Sequence, residues 1–308
     1  MTAYKLAMFE AATGPAAGLV LGEAIHEVAK LPDLAAYRTT LDLLTHWDEA
    51  EPRLQKAAEQ LGGSHAAGLP LTQAKLLAPV LYPSAIYCAG ANYSDHVQEM
   101  ARAKGREAGP DPKSLGLKPW HFIKSSRSVI GPGATIALPR HSKKVDWEIE
   151  LAAVVGRTAK DVPLARALDY VAGYTIANDL SARDLSIRDA IPPGSGFRHD
   201  WIGQKCFDGA CPLGPWIVPA AQIADPHKLA MKLTVNDVVK QDSTTAGMIY
   251  DLAEQLSHLS SCITLYPGDL ILTGTPAGVG NGRGEYLAAG DVVTLWIEGI
   301  GTLSHRMA

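Results

Sequence analysis

In Asp146-Trp147-Glu148-Ile149-Glu150-Leu151-Ala152 two glutamates alternate with apolar residues. A strand would send Glu148 and Glu150 to one face and Trp147, Ile149 and Leu151 to the other. Carboxylates so placed repel each other and lose hydration unless positive charge lies between them. A hard divalent cation supplies that charge, since Mg2+ takes carboxylate oxygens together with water or substrate. A solvent-facing strand edge produces the same alternation without any chemistry. A third acid, Asp179, follows the strand-like run Tyr174-Thr175-Ile176-Ala177-Asn178, a position where functional groups are often displayed. Asp179 or Ser181 equally suits the N-cap of a helical turn over 182–188.

Other segments carry base, cation and anion-binding chemistry. His96 and Glu99 lie three residues apart in Asn92-Tyr93-Ser94-Asp95-His96-Val97-Gln98-Glu99, which puts them on one helix face. A carboxylate beside an imidazole orients it and raises its basicity, as activation of water requires; an ordinary surface pair has the same spacing. Lys205, in the Gly-rich setting Gly203-Gln204-Lys205-Cys206-Phe207-Asp208, suits stabilisation of an enolate or carboxylate, or is a lysine that lays its stem on apolar surface. Thr273-Gly274-Thr275-Pro276-Ala277-Gly278-Val279-Gly280 leaves a strand into a loop whose amides and hydroxyls suit an anion, or is a plain flexible connection. No GxxxxGK[ST] or helix-opening GxGxxG occurs, which disfavours nucleotides. Nor is there a GxSxG elbow; Gly194-Ser195-Gly196 reads as a flexible turn.

These side chains need a scaffold. Strand-like runs occur at 4–9, 18–21, 86–89, 147–155, 173–177, 231–235, 270–273 and 292–297, rich in β-branched and aromatic residues. Asn236-Asp237 between apolar runs predicts a two-residue hairpin turn. Helical patterns cover 34–44, 49–61, 93–104, 164–171 and 248–261. Strands and helices do not alternate strictly, so a doubly wound sheet is disfavoured and a mostly-β α+β protein is expected. Gly62-Gly63-Ser64-His65 and the Gly68/Pro70 neighbourhood punctuate the chain, suggesting a small N-terminal α+β domain over 1–75 and a main body over 76–308. Residues 110–119 form a Gly/Pro-punctuated loop.

The bulk numbers narrow the class. With 308 residues, 47% hydrophobic, the chain supports a large core. Lys plus Arg is 28 against 32 Asp plus Glu, a net charge of −4, which speaks against a general nucleic-acid binder. Residues 1–25 lack a signal-peptide core and cleavage site, and no run of about 18 apolar residues suggests a membrane span. The four cysteines form no CxxC pair. Cys206 and Cys211 stand at the wide limit of zinc-ligand spacing without a second pair. Reduced thiols in a cytoplasmic protein are the expectation.

Taken together, Ala89-Gly90-Ala91-Asn92-Tyr93 through His96 and Glu99, Trp147-Glu148-Ile149-Glu150-Leu151, Asn178-Asp179-Leu180-Ser181-Ala182-Arg183-Asp184, Gly203-Gln204-Lys205 with Phe207-Asp208, and the 273–280 loop resemble the fumarylacetoacetate hydrolase superfamily. The similarity covers roughly residues 82–308, and five motifs in the family's order reverse the bland readings above. The resemblance implies the family's mixed β-sandwich roll, the N-terminal accessory domain of its longer bacterial members (acylpyruvase or 2-hydroxyhepta-2,4-diene-1,7-dioate isomerase-like), and a homodimer. It implies that Glu148, Glu150 and Asp179 hold one Mg2+ or Mn2+ per subunit. His96, oriented by Glu99, would activate water on a segment that closes over the substrate. Tyr93, Arg183 and Thr275 would bind substrate, and Lys205 would stand beside the developing pyruvate enolate. The expected reaction is hydrolysis of a C–C bond in a small acylpyruvate or 2,4-diketo acid. Oxaloacetate decarboxylation, and hydration or tautomerisation of dienoate diacids from aromatic catabolism, use the same platform. A non-catalytic metal-dependent scaffold is disfavoured by the retained acids and His96/Glu99 pair. Ser186 stands where many relatives have a substrate-binding glutamine, and residues 101–119 are either a lid or a passive loop. No nucleic-acid or membrane partner is expected.

Overall fold

The computed structural model describes residues 2–63 and 67–308; Ser64 and His65 of the expected Gly-rich punctuation lie outside them. The architecture is α+β and mostly β. A twelve-stranded sheet runs in the order Leu69–Pro70, Ala24–Glu27, Gly14–Leu21, Lys5–Ala11, Cys211–Pro219, Val171–Asn178, Ile149–Val155, Leu270–Leu272, Ile86–Ala89 and His121–Lys124, with two short strands off this path. A five-stranded sheet carries Val238–Thr244, Ala230–Val235, Val292–Ile297, Gly301–Met307 and Thr135–Ile136. Among the described residues no helix is long and apolar enough to cross a membrane.

Period-two alternation on the Ile149–Val155 strand, buried along its whole length, organises the core. Ile149, Leu151, Ala153 and Val155 join Met231, Leu233, Val293, Leu295 and Ile297 between the two sheets. Ala152 and Val154 point the other way and pack with Leu6, Met8, Leu19, Leu43, Leu44, Trp47 and Leu54. By the same alternation the acids at 148 and 150 share the second face, the one that the N-terminal segment covers. That segment adds its first strand directly to the sheet, with Leu6 opposite Ile217, so the residues on either side of position 75 share one layer and one core.

The Asn236-Asp237 hairpin forms as expected. It joins Ala230–Val235 to Val238–Thr244, and both turn residues have positive φ, 50° and 64°, the backbone that matches strand twist. Two expectations shift. The 34–44 helix shrinks to Thr40–Thr45, because Thr39 and Asp42 form a reciprocal capping box that starts it late. The 164–171 pattern is 3-10 helix over Leu164–Tyr170. The central strand Cys211–Pro219 was hidden in the sequence by three prolines and Gly214, which ordinarily demote a strand. Its ladder with Val171–Asn178 is interrupted between Tyr174 and Ile176, where Pro215 has no N–H to offer.

Candidate metal centre

The three acids meet because two antiparallel neighbours bring their ends together. Ile149 pairs with Asn178 and Glu150 with Ala177, so Glu148, just before one strand, lies beside Asp179, just after the other. The Asp179 amide donates to Glu148 O (2.9 Å), and the Glu148 amide donates to Asn178 Oδ1 (2.9 Å). One carboxylate oxygen from each of Glu148, Glu150 and Asp179 lies within 4.8 Å of the others, and all three residues are buried. The strand is central in its sheet, so the solvent-edge explanation fails. Asp179 is not a cap either: its oxygens accept from Lys124 Nζ and Lys205 Nζ, each at 2.6 Å.

Three permanent cations surround the cluster. Lys205 bridges Asp179 and Glu148 Oε2 (2.9 Å). Arg183 bonds Glu148 Oε1 and donates Nε to Asp146 Oδ2 (2.8 Å). Lys124, with a wholly buried side chain, also donates to Leu180 O (3.1 Å). Burial alone would push Glu148 up, but Arg183 and Lys205 outweigh it and hold its carboxyl far below the usual range. The same partners keep Arg183 and Lys205 charged against their own desolvation. Glu150 differs. Its one direct hydrogen bond among the described residues is from the Gly274 amide (2.7 Å), and burial, then the charges of Asp179 and Glu148, push its pKa well above the ordinary value. Four acids (Asp146, Glu148, Glu150, Asp179) thus face three cations, and Glu150, the one without a cation bonded to it, is driven towards its proton-bound form. A hard cation fits this donor set. Neighbouring oxygens at about 2.0–2.1 Å from an octahedral Mg2+ stand roughly 2.9 Å apart, so the three carboxylates, now within 4.8 Å of one another, would draw inward around it.

His96 and Glu99 occupy one face of the Ser94–Ala103 helix. Glu99 accepts from the Gly278 amide with both oxygens (2.9 and 3.1 Å). His96 Nδ1 lies 3.9 Å from Glu99 Oε2, an ion-pair separation longer than a hydrogen bond, and this buried nitrogen has no hydrogen-bond partner. Burial raises the Glu99 carboxyl, and His96 with the Gly278 amide more than cancels that, leaving it below the usual range. His96 also lies close enough to Glu148 to favour that acid's ionised form.

Thr275, two residues beyond Thr273, accepts from Gln241 Nε2 (2.8 Å), which leaves its own proton free to donate. Tyr93 is placed otherwise than expected. Its side chain is fully buried, its hydroxyl meets Met231 Sδ at 3.6 Å, and its ring packs against Gly247 and Gly274. Its hydroxyl thus lies in the core between the sheets. Ser186 donates to the carbonyl of Arg183 (2.7 Å) and braces that arginine's turn. In the 101–119 segment, Lys113 pairs with Glu254 (2.6 Å) and Tyr250 donates to Leu117 O (2.7 Å), so the loop is docked on the Leu252–Cys262 helix.

Four supporting residues escaped the sequence reading. Asp146, fully buried, accepts from Trp147 N (2.8 Å), Gly280 N (2.6 Å) and Asn281 N (3.1 Å) as well as Arg183, tying the arginine to the 273–280 loop. Its signal was the alternation 146, 148, 150 extended one step back. Lys124 was a lysine at the end of a short apolar run. Gln241 and Asn178 bond the backbone of Ile149 (3.1 Å) and Glu148, contacts that no local pattern announces.

A family model described as fumarylacetoacetate (FAA) hydrolase C-terminal matches residues 85–308. Oxaloacetate tautomerase Fahd2a, mitochondrial, of Rattus norvegicus is 40% identical over 247 residues, covering 79% of this chain and 73% of that protein. The crystal structure of 2-hydroxyhepta-2,4-diene-1,7-dioate isomerase from Mycobacterium marinum superposes with a TM-score of 0.72 at 32% identity, over 99% of this chain and 98% of that one. Maleylpyruvate hydrolase from Sphingobium sp. SYK-6, solved with manganese(II) and pyruvate, gives 0.73 at 28% identity over 99% and 98%.

Proposed function

This chain belongs to the fumarylacetoacetate hydrolase family, and from that premise we propose that it is a divalent-cation-dependent hydrolase of a small acylpyruvate or 2,4-diketo acid. One observation carries the reading: a buried triad of acids in which Glu150 has no hydrogen bond from a cation among the described residues, with His96 close by and its Nδ1 without a hydrogen-bond partner there. Glu148, Glu150 and Asp179 would hold one Mg2+ or Mn2+, which as a Lewis acid polarises the 2-oxo group; the relative solved with manganese and pyruvate supports this.

Lys205 now spends its charge on Glu148 and Asp179; once those oxygens are shared, its ammonium is available to the substrate carboxylate or enolate. Arg183, fixed by Asp146, and the Thr275 hydroxyl bind further substrate oxygens. His96, with Glu99 3.9 Å away, takes a proton from water as the oxygen adds to the distal carbonyl. The bond from that carbon to the methylene breaks, and its electron pair forms the pyruvate enolate. His96 then returns a proton to the methylene carbon, giving a carboxylic acid and pyruvate. Positive charge preorganised at the enolate is the larger catalytic contribution.

A second reading, tautomerisation or decarboxylation of oxaloacetate, is favoured by the similarity to oxaloacetate tautomerases. There His96 would move a proton between carbon and oxygen without attacking water. A pyruvate-release assay over acylpyruvates, diketo acids and oxaloacetate, joined by an ultraviolet assay of the oxaloacetate enol–keto interconversion, with Mg2+, Mn2+ or EDTA, separates the two. Cation-dependent cleavage of an acylpyruvate supports the hydrolase. Reaction of oxaloacetate alone selects the second reading. A homodimer remains part of the proposal, and sedimentation of the purified protein tests it.

A further inference from the structure

Two rows of side chains lead from solvent to the acids. Along the His121–Lys124 strand, alternation puts Phe122 and Lys124 on one face, and the ladder extends outward to Trp120, whose carbonyl accepts from Gly90 N (3.0 Å). On the Trp201–Lys205 helix, Trp201 and Lys205 are one turn apart on one face. Both rows run aromatic to lysine, and both lysines end on Asp179. The rows touch: Phe122 and Trp201 stack with centroids 5.5 Å apart, Trp120 lies 5.6 Å from Trp201 and 5.9 Å from Phe122, and Lys205 Nζ sits 4.9 Å from the Phe122 ring. Trp120 lies so flat on Gly90 that a Cβ there would come within 1.8 Å of its ring. Yet Trp120 is 52% exposed and Trp201 41%, apolar area left in water beside a polar site, which marks a place that something covers.

We propose that Trp120, Phe122 and Trp201 form the subsite for the distal end of the substrate, and that this end is planar and apolar, an aryl or conjugated alkenyl group. The proposal rests on the reading of the acid cluster as the seat of a 2-oxo acid. With that head at the triad, a tail passing Lys205 meets Phe122 first and the two indoles next, faces suited to stacking. Among the described residues a second carboxylate would find no free cation in this wall, because Lys124 is committed to Asp179 and Lys205 to Glu148, Asp179 and the substrate's oxo-acid head.

The test is calorimetric titration of the Mg2+-loaded protein with phenylpyruvate and with pyruvate, repeated on Trp120→Ala, Trp201→Ala and Trp201→Phe. The parent should bind phenylpyruvate roughly tenfold more tightly than pyruvate. That ratio should fall towards one in each alanine variant and be largely kept by Trp201→Phe. A parent ratio near one, or a ratio that survives both alanine substitutions, overturns the proposal. Size-exclusion runs on the same samples expose the competing explanation. Alanine variants that split a dimer while keeping the ratio make the rings a contact between two copies, which also overturns it. If the protein binds Mg2+ but neither acid, the oxo-acid reading of the cluster has failed, and the tail subsite falls with it.

Discussion

The acids and the nearby histidine are held by different forces. Glu148, Glu150 and Asp179 are fixed by backbone ladders at the centre of a large sheet, with Asp146, Asn178 and Gln241 bonding the adjacent backbone and side chains. The helix bearing His96 has one buried residue, Ala101, and is tied down through Glu99 to Gly278 and through Asn92, which bonds Thr273 O (2.8 Å) and both backbone groups of Tyr250. A hydrogen-bonded ladder over a packed core opens only with global unfolding, whereas a helix held by a few polar contacts opens locally at much lower cost. The half that carries the acids is therefore preorganised, and the half that bears His96 opens at lower cost.

The sharpest way to break this comparison is to strike each half alone. Glu150→Gln should weaken Mn2+ binding by at least about a hundredfold, beyond what loss of a mere supporting contact costs, and abolish turnover, as followed by calorimetry and pyruvate release. His96→Ala should lower kcat by about 10²–10⁴-fold with cation affinity intact; loss of both together would mean that the halves are one unit. Asp146→Asn removes one partner of a buried charge pair, which typically costs about 3–5 kcal/mol. It should lower Tm markedly and raise KM through a misplaced Arg183.

Glu99→Gln keeps the shape but weakens the tie to Gly278. It should lower kcat roughly tenfold and speed hydrogen exchange in 94–103 while exchange in 149–155 stays unchanged. The smallest effect belongs to pH. Burial lowers His305 and His121 to about 4 from 6.5, so between those values the unfolded chain binds protons that the folded one does not. Stability should then fall as the pH drops from about 6.5 towards 4, and His305→Gln should flatten that slope in thermal melts.

What the sequence disclosed follows the same division. Alternation, a local pattern, put Glu148 and Glu150 on one strand face, but their choice as ligands together with Asp179 rested on the family resemblance. His96 and Glu99 were legible from helical spacing. Tyr93 entered through the resemblance, and no local pattern announces that its ring is buried beside Gly247 and Gly274. Lys124 and Gln241 act across 55 and 92 positions of chain, separations that no window of sequence spans. The Pro-rich strand 211–219, which joins the N-terminal strands to the catalytic ones, was invisible because its partners supply the ladder that its own composition argues against.

The central claim is that the three acids form one cation site completed by Glu150. Mn2+ titration followed by electron paramagnetic resonance, on the parent and on Glu150→Gln, tests it most directly. The account predicts one tightly bound Mn2+ per chain in the parent and none at the same concentration in the variant. Equal binding by both proteins would contradict it.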